Sequence, residues 1–162
     1  MRRPITAFFR FCLRIFFRRI ELMGLERVPE SGAVVFAVNH PNGLVDPLFL
    51  LSFAPAPVSF LAKAPLFHYP IIGWIVRAFD AIPVYRKQET AGGSLAEANA
   101  EMFARARQIL KRGGGIAIFP EGTSHDDPHL RELKTGAARI ALGANVATCV
   151  VPTGIYYTAK HA

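Results

Sequence analysis

His40 and Asp46 are the two residues whose types and spacing point most directly to chemistry. His40 follows a short apolar, β-branched run, Ala33 to Val38 (AVVFAV), and opens into the polar turn Asn39-His40-Pro41-Asn42-Gly43. A neutral imidazole near pH 7 can take a proton from an alcohol. A carboxylate on its other nitrogen sets the tautomer and stabilises the imidazolium that forms. That is the base and orienter of a triad without its protein nucleophile, which leaves the hydroxyl to a substrate. Two plainer readings stand beside it. A strand-end histidine can be an ordinary turn residue, and an Asp before Pro47 suits the N-cap of a helix, a role compatible with holding an imidazole.

A second polar cluster, Pro120 to His125, follows the strand-like Ile116 to Phe119. In Glu121-Gly122-Thr123-Ser124 the glycine lets backbone approach a ligand, and two hydroxyls with the turn's amides suit an anion or a polar headgroup; a plain strand-to-loop turn is the alternative. Arg86, after Ile82-Pro83-Val84-Tyr85, has the planar fork that grips a phosphate, although many strand-end arginines are simply solvated. His125, Asp126, Asp127 and His129 have metal-ligand types, but Pro128 breaks any helix that would bring the two histidines together, and no metal site is expected. Cys12 and Cys149 are the only cysteines, far apart, so neither a disulfide framework nor a zinc site is indicated and reduced cytosolic thiols are expected.

The elements that must position these residues alternate between short apolar runs and amphipathic stretches, as in an α/β domain. Strands are expected at Ala33–Val38, Val58–Leu61, Ile82–Val84, Ile116–Phe119 and Val146–Val151. The clearest helix runs from Ser94 to Arg112. Ser94 and Glu97 form a capping box, Leu95, Ala98, Met102, Ala106 and Ile109 share an apolar face, and Gly113 to Gly115 ends it. A second helix is expected over Lys134 to Gly143. The fold class is a single α/β domain with a mixed, mostly parallel sheet flanked by helices. Ligands of open α/β sheets bind at the carboxyl ends of strands, so the active site is expected between the two polar clusters.

With 162 residues, 51% hydrophobic and 19% charged, the chain has material for one well-formed core, and neither disorder nor a repeat solenoid fits. Its net charge of +7 is unevenly spread. Six arginines precede the first acid, Glu21, so the remaining 142 residues hold 13 basic against 12 acidic side chains, or +1. That distribution does not suit a nucleic-acid partner. Residues 1–22 read as a basic amphipathic helix at a membrane interface, with Arg10, Arg14 and Arg18 on one stripe and Phe9, Leu13, Phe16, Phe17 and Ile20 on an apolar side. Anionic lipid headgroups are the expected partner of those arginines. The competing reading docks the apolar side on the domain. The best uncharged run, Pro47 to Ala62, is shorter than the roughly 18 residues a transmembrane helix needs and holds three prolines. Residues 23–162 form the domain proper.

Four ordered blocks carry a resemblance. Asn39-His40-Pro41-Asn42-Gly43-Leu44-Val45-Asp46-Pro47, Ile82-Pro83-Val84-Tyr85-Arg86, Phe119-Pro120-Glu121-Gly122-Thr123-Ser124 and Val151-Pro152-Thr153-Gly154 resemble, in order, the four motifs of the glycerolipid acyltransferases. Ala62-Lys63 and Leu133-Lys134-Thr135-Gly136 add to the match, which spans about residues 25 to 157. The resemblance implies that His40 deprotonates a glycerol hydroxyl while Asp46 holds the imidazole. The oxygen then attacks the thioester of an acyl-CoA or acyl carrier protein, the co-substrate, with no cofactor and no acyl-enzyme. It further implies that Arg86 meets the acceptor's phosphate, that Glu121, Gly122 and Thr123 shape the acceptor site, and that Lys63 and Lys134 assist.

Two departures from the family pattern matter. The usual spacing is His-x4-Asp, whereas five residues separate His40 from Asp46, and no arginine follows Thr123. Both features resemble the branch of glycerol-3-phosphate and dihydroxyacetone-phosphate acyltransferases, which puts those acceptors slightly ahead of lysophosphatidate. The chain also ends ten residues after Pro152, earlier than the family pattern, which predicts that part of an acyl tunnel and the last strands lie outside it. The expected setting is the cytoplasmic face of a membrane, as a peripheral or monotopic enzyme of phospholipid biosynthesis. The alternative from another class is a non-catalytic lipid-binding or tethering domain of the same fold. A serine hydrolase is disfavoured, since no G-x-S-x-G elbow is present.

Overall fold

The computed structural model describes residues 2–85, 94–125, 127 and 129–158. Five strands, β1 (Ala33–Val38), β2 (Val58–Lys63), β3 (Ile82–Val84), β4 (Gly115–Ile118) and β5 (Thr148–Thr153), form one sheet in the order β3-β2-β4-β1-β5. Every pairing is parallel, so the mixed, mostly parallel sheet expected from sequence is parallel throughout the described residues. Parallel neighbours need long crossovers, and helices supply them. These are α2 (Val45–Phe53), α3 (Pro70–Ala78), α4 (Leu95–Lys111) and α5 (Gly136–Gly143), preceded by α1 (Arg2–Phe16).

Strand residues alternate between two cores. Val34, Phe36 and Val38 of β1 join Val58, Phe60 and Ala62 of β2 on one face, under Leu50 and Leu51 of α2 and Val76 of α3. Val35 of β1 and Ile116 and Ile118 of β4 face the other way, against Met102, Phe103, Ala106 and Leu110 of α4 and Ile140 of α5. Burial on both faces is why these strands read as continuous apolar runs. The chain leaves β1 across the first face toward β2 but leaves β4 across the second toward β5. Adjacent strands whose connections depart in opposite directions open a crevice at their carboxyl ends, the usual ligand position in such sheets. Here that crevice lies between β1 and β4, immediately before His40 and Glu121.

The capping signals are realised in α4. The Ser94 hydroxyl accepts from the Glu97 amide at 3.4 Å. At the other end the Gly113 and Gly114 amides donate to Leu110 and Ile109 carbonyls at 2.8 and 2.9 Å, a Schellman closure. Helix α3 was not anticipated, and α5 begins two residues later than expected.

The amino-terminal helix is shorter than the expected 1–22, ending at Phe16, beyond which the Phe17 ring turns in against Phe49 and Tyr157. It lies on the first face of the sheet. Ile5 and Phe9 pack on the core, Leu13 is buried, and the Arg2 guanidinium donates to the Ala78 carbonyl at 3.2 Å and pairs with Asp80. Within the helix, Phe9 and Leu13 are the docked residues of the expected apolar side, joined by Phe17 beyond its end. Arg10 leaves the basic stripe to donate to the Ser52 carbonyl at 3.0 Å. A separate line, Phe8, Phe11, Cys12 and Ile15, spaced i, i+3, i+4, i+7, forms another stripe, and Phe8, Phe11 and Ile15 are all more than 60% exposed. Among the described residues no helix is long and apolar enough to cross a membrane.

Candidate active site

His40 stands two residues past the end of β1 and is held from three directions. Its amide donates to Glu121 Oε1 at 3.2 Å, and its carbonyl accepts from the His125 amide at 3.1 Å, so the loop after β4 grips its backbone on both sides. Its ring stacks on Phe119, with centroids 3.8 Å apart and planes 17° from parallel. Nδ1 meets Asp46 Oδ2 at 2.9 Å. A carboxylate at Nδ1 favours the tautomer with the proton there, leaving Nε2 basic.

Asp46 sits in the first turn of α2, fully buried. It is not the N-cap, contrary to one sequence reading. That task falls to Asn42, whose Oδ1 accepts from the Leu44 and Val45 amides at 3.1 Å each. The carboxylate is thereby free for three partners: His40 Nδ1 and the Asn42 amide (2.7 Å) on Oδ2, and the Tyr157 hydroxyl (2.6 Å) on Oδ1. The five intervening residues are absorbed because the Asn42 turn lifts Asp46 into the helix and back toward the imidazole. The Tyr157 hydroxyl is raised above its ordinary pKa, first by burial and then by its hydrogen bond to Asp46 and that group's charge, so it remains a donor.

Glu121, one of the residues expected to shape the acceptor site, turns its carboxylate to the protein. Only 4% of the residue is exposed. Oε1 takes the His40 amide; Oε2 takes the Arg131 amide at 3.1 Å and the His125 Nε2. Burial works against its charge, yet the bonds from His125, Arg131 and His40 outweigh it and hold the carboxyl below its usual range. Glu121 is a clamp that fixes the β1 and β4 ends against each other.

Gly122 has φ +72°, and a Cβ there would lie 2.6 Å from Lys134 Nζ, so the lysine side chain runs directly over this glycine. The Lys134 amide is itself bound to the Pro120 carbonyl at 2.9 Å. Thr123 is exposed in the same turn. Lys63, also exposed, ends β2 in register with Val84 of β3, at the carboxyl edge of the sheet. Arg86 lies outside the described residues. The structure thus brings His40, Asp46 and Glu121 into contact and joins Lys134 to Gly122. Asn42, Phe119, His125 and Tyr157 were not anticipated as members of this network. For Tyr157 the only local signal was its closeness to the fourth block.

Two cavities adjoin the site. A small polar one of about 100 Å³ is lined by His40, Asn39, Glu121, His125 and Asp127, among others. A larger one of about 860 Å³ is lined by Phe17, Phe49, Phe53, Val151, Ile155 and Tyr157, among others, but not by His40. Chemically, the arrangement can remove a proton from a hydroxyl brought to Nε2 and hold the resulting imidazolium against a buried carboxylate.

Residues 19–156 match the family described as Acyltransferase. A chloroplastic 1-acyl-sn-glycerol-3-phosphate acyltransferase of Arabidopsis thaliana is 31% identical over 144 residues, covering 89% of this chain and 38% of that protein. A 1-acyl-sn-glycerol-3-phosphate acyltransferase of Borreliella burgdorferi is 29% identical over 140 residues, 86% of this chain and 52% of that protein. The crystal structure of the 1-acyl-sn-glycerophosphate acyltransferase of Thermotoga maritima has the same fold, with a TM-score of 0.71 at 23% identity, over 91% of this chain and 55% of that one. The chain spans about half or less of the length of these relatives. With the matched family covering most of its residues and the relatives agreeing, the chain belongs to the glycerolipid acyltransferase family.

Proposed function

We propose that this chain transfers a fatty acyl group from an acyl thioester, carried by coenzyme A or acyl carrier protein, to a hydroxyl of a glycerol-phosphate acceptor. The observation that carries the reading is the His40 Nδ1 to Asp46 Oδ2 contact of 2.9 Å, made at the crevice between β1 and β4. Nε2 takes the acceptor's hydroxyl proton as its oxygen bonds to the thioester carbonyl carbon. The tetrahedral intermediate collapses, the C–S bond breaks, and the departing thiolate receives the proton from the imidazolium. Asp46 keeps its charge throughout. No cofactor takes part in this scheme, and no residue is acylated.

Lysophosphatidate is the first acceptor to consider, because the relatives are named for 1-acyl-sn-glycerol-3-phosphate. The His-x5-Asp spacing, which resembles the glycerol-3-phosphate and dihydroxyacetone-phosphate branch, supports those acceptors as the second reading. In either case Lys134, Lys63 and Arg86 are the cations assigned to the acceptor's phosphate, and Gly122 and Thr123 the turn that adjoins it. The reaction is assigned to the cytoplasmic face of a membrane with anionic lipids. The exposed Phe8, Phe11 and Ile15 stripe enters the acyl boundary there, and Arg3 and Arg14 meet headgroups.

The test is thiol release from a long-chain acyl-CoA by the protein on lipid vesicles, with lysophosphatidate, glycerol-3-phosphate, dihydroxyacetone phosphate or no acceptor. Acceptor-stimulated release that falls by about 10²- to 10⁴-fold in His40→Ala supports transfer and identifies the acceptor. Release that is absent with every acceptor, from folded protein that still binds vesicles, turns the reading to a non-catalytic lipid-binding domain.

A further inference from the structure

Asp46 is a fully buried carboxylate with three donors, and the last of them arrives from far away in sequence. Tyr157 lies 111 positions from Asp46, beyond the end of β5, and its hydroxyl approaches Oδ1 to 2.6 Å. Its ring is fixed independently of that bond. It stacks on Phe17 with centroids 5.7 Å apart and 30° between planes, and meets Phe49 at 6.2 Å. The segment carrying it is anchored too. The Asn39 side chain donates to the Ile155 carbonyl at 2.9 Å and accepts from the Ile155 amide at 2.6 Å, extending the β1–β5 register past the strand end. Asn39 adjoins His40, so the same two-residue step of chain holds both the base and the segment that presents Tyr157.

We infer that Tyr157 is a positioning residue of the base: its hydroxyl fixes the Asp46 carboxylate rotamer and draws off part of the charge that Asp46 offers to His40. The inference rests on reading His40 as the base. A carboxylate with one oxygen tied by a hydroxyl cannot rotate freely, so Oδ2 stays aimed at Nδ1. The hydroxyl also spreads negative charge toward Oδ1, which moderates how strongly the pair retains a proton on the imidazole. An imidazole held too strongly as imidazolium is a poor base at neutral pH. Tyr157 further ties this balance to the larger cavity, because its ring is part of that wall while its hydroxyl is on the dyad.

Tyr157→Phe keeps both aromatic contacts and removes only the hydroxyl. The ionisable groups packed around the dyad are Glu121 and His125 from the loop after β4. Arg18 and Arg19 line the cavity that Tyr157 also borders. The substitution changes none of these residues. Two readouts separate positioning from simple packing. The first is the Nδ1 proton of His40, observed by proton NMR at low field and assigned by its absence in His40→Ala. In Tyr157→Phe the Asn42 amide still holds Oδ2 in place, and the proton moves further downfield because the charge drawn toward Oδ1 returns to the bond with His40. The second is the acid limb of the pH profile for acyl transfer, which moves to higher pH by about 0.5 to 1 unit, while acceptor KM on the plateau stays within about twofold.

An Nδ1 proton at its wild-type position overturns the inference, and so does an acid limb that does not move. If the wild-type protein transfers no acyl group, the proposed function fails and the NMR position alone decides the role of Tyr157.

Discussion

Asn42 caps the helix that Asp46 enters: its Oδ1 takes the Leu44 and Val45 amides, while its own amide, 2.7 Å away, is bound by the Asp46 carboxylate. One turn therefore closes the helix start and orients the carboxylate. Asn42→Ala leaves those amides without their acceptor and loosens the geometry. A half-buried cap of this kind contributes about 1 kcal/mol to stability. The expected result in urea unfolding is a loss near that value, with transfer reduced because Asp46 is less well aimed. Asn42→Asp, which retains the acceptor oxygen, recovers most of the stability.

Asp46→Asn tests the carboxylate itself. An amide of the same size fits the site but presents Nδ2 or Oδ1 where two acceptor oxygens are needed, and it cannot stabilise an imidazolium by charge. By analogy with acid-base pairs in which the orienting Asp is amidated, turnover falls by about 10³- to 10⁴-fold with little change in substrate affinity. Measured kcat within about tenfold of wild type is incompatible with a charge role for Asp46.

Glu121 links the site to stability against acid. Its carboxyl titrates lower in the folded chain than its ordinary value of 4.5, despite burial, because of the bonds from His125, Arg131 and His40. A depressed folded pKa means that ionisation stabilises the fold fully above the unfolded value and progressively less as pH falls through the folded one. Wild type is therefore expected to exceed Glu121→Gln in stability by about 1 to 3 kcal/mol at pH 7, and the gap narrows only as the pH drops below about 4.5. Urea midpoints of the two proteins from pH 7 down to pH 3 provide the check. A gap constant over that range separates Glu121 from this role.

Gly122→Ala probes the turn under Lys134. The residue has φ +72°, a left-handed conformation that a side chain tolerates poorly, at about 1 to 2 kcal/mol. The new Cβ also occupies the space of the Lys134 ammonium, 2.6 Å away, and that flexible end swings aside. Loss of stability should accompany a raised KM for the phosphorylated acceptor. Lys134→Ala alone should raise KM without the loss of stability, so the pair of variants separates backbone strain from displacement of the cation.

Much of this arrangement is legible in the chain, and the unread parts have physical reasons. His40 and Asp46 are near in sequence, and their pairing follows from residue types at the end of an obvious strand. Glu121 was recognised as a site residue, but residue type does not tell whether a carboxylate faces a ligand or the protein; only burial with donors on both oxygens does. Tyr157 reaches Asp46 through tertiary folding across 111 positions, where local pattern carries no signal. Helix α3 was hidden by Gly73, a poor helix former that is present because a Cβ there would meet the Phe67 carbonyl at 2.5 Å. Arg10 was taken from the basic stripe by a backbone carbonyl of α2, a contact that helical periodicity does not encode.

The two remaining sides of α1 make the membrane reading separable from docking. Leu13 is buried against the domain, so Leu13→Ala should lower stability by about 2 to 4 kcal/mol. Phe11 and Ile15 are exposed, and Phe11→Ser with Ile15→Ser should leave urea unfolding nearly unchanged while weakening sedimentation with both zwitterionic and anionic vesicles. Arg3 and Arg14 are exposed cations on the opposite flank, and Arg3→Ala with Arg14→Ala should weaken binding to anionic vesicles only, most strongly at low salt. Vesicle binding that survives all four exposed substitutions would remove α1 from the role of membrane contact.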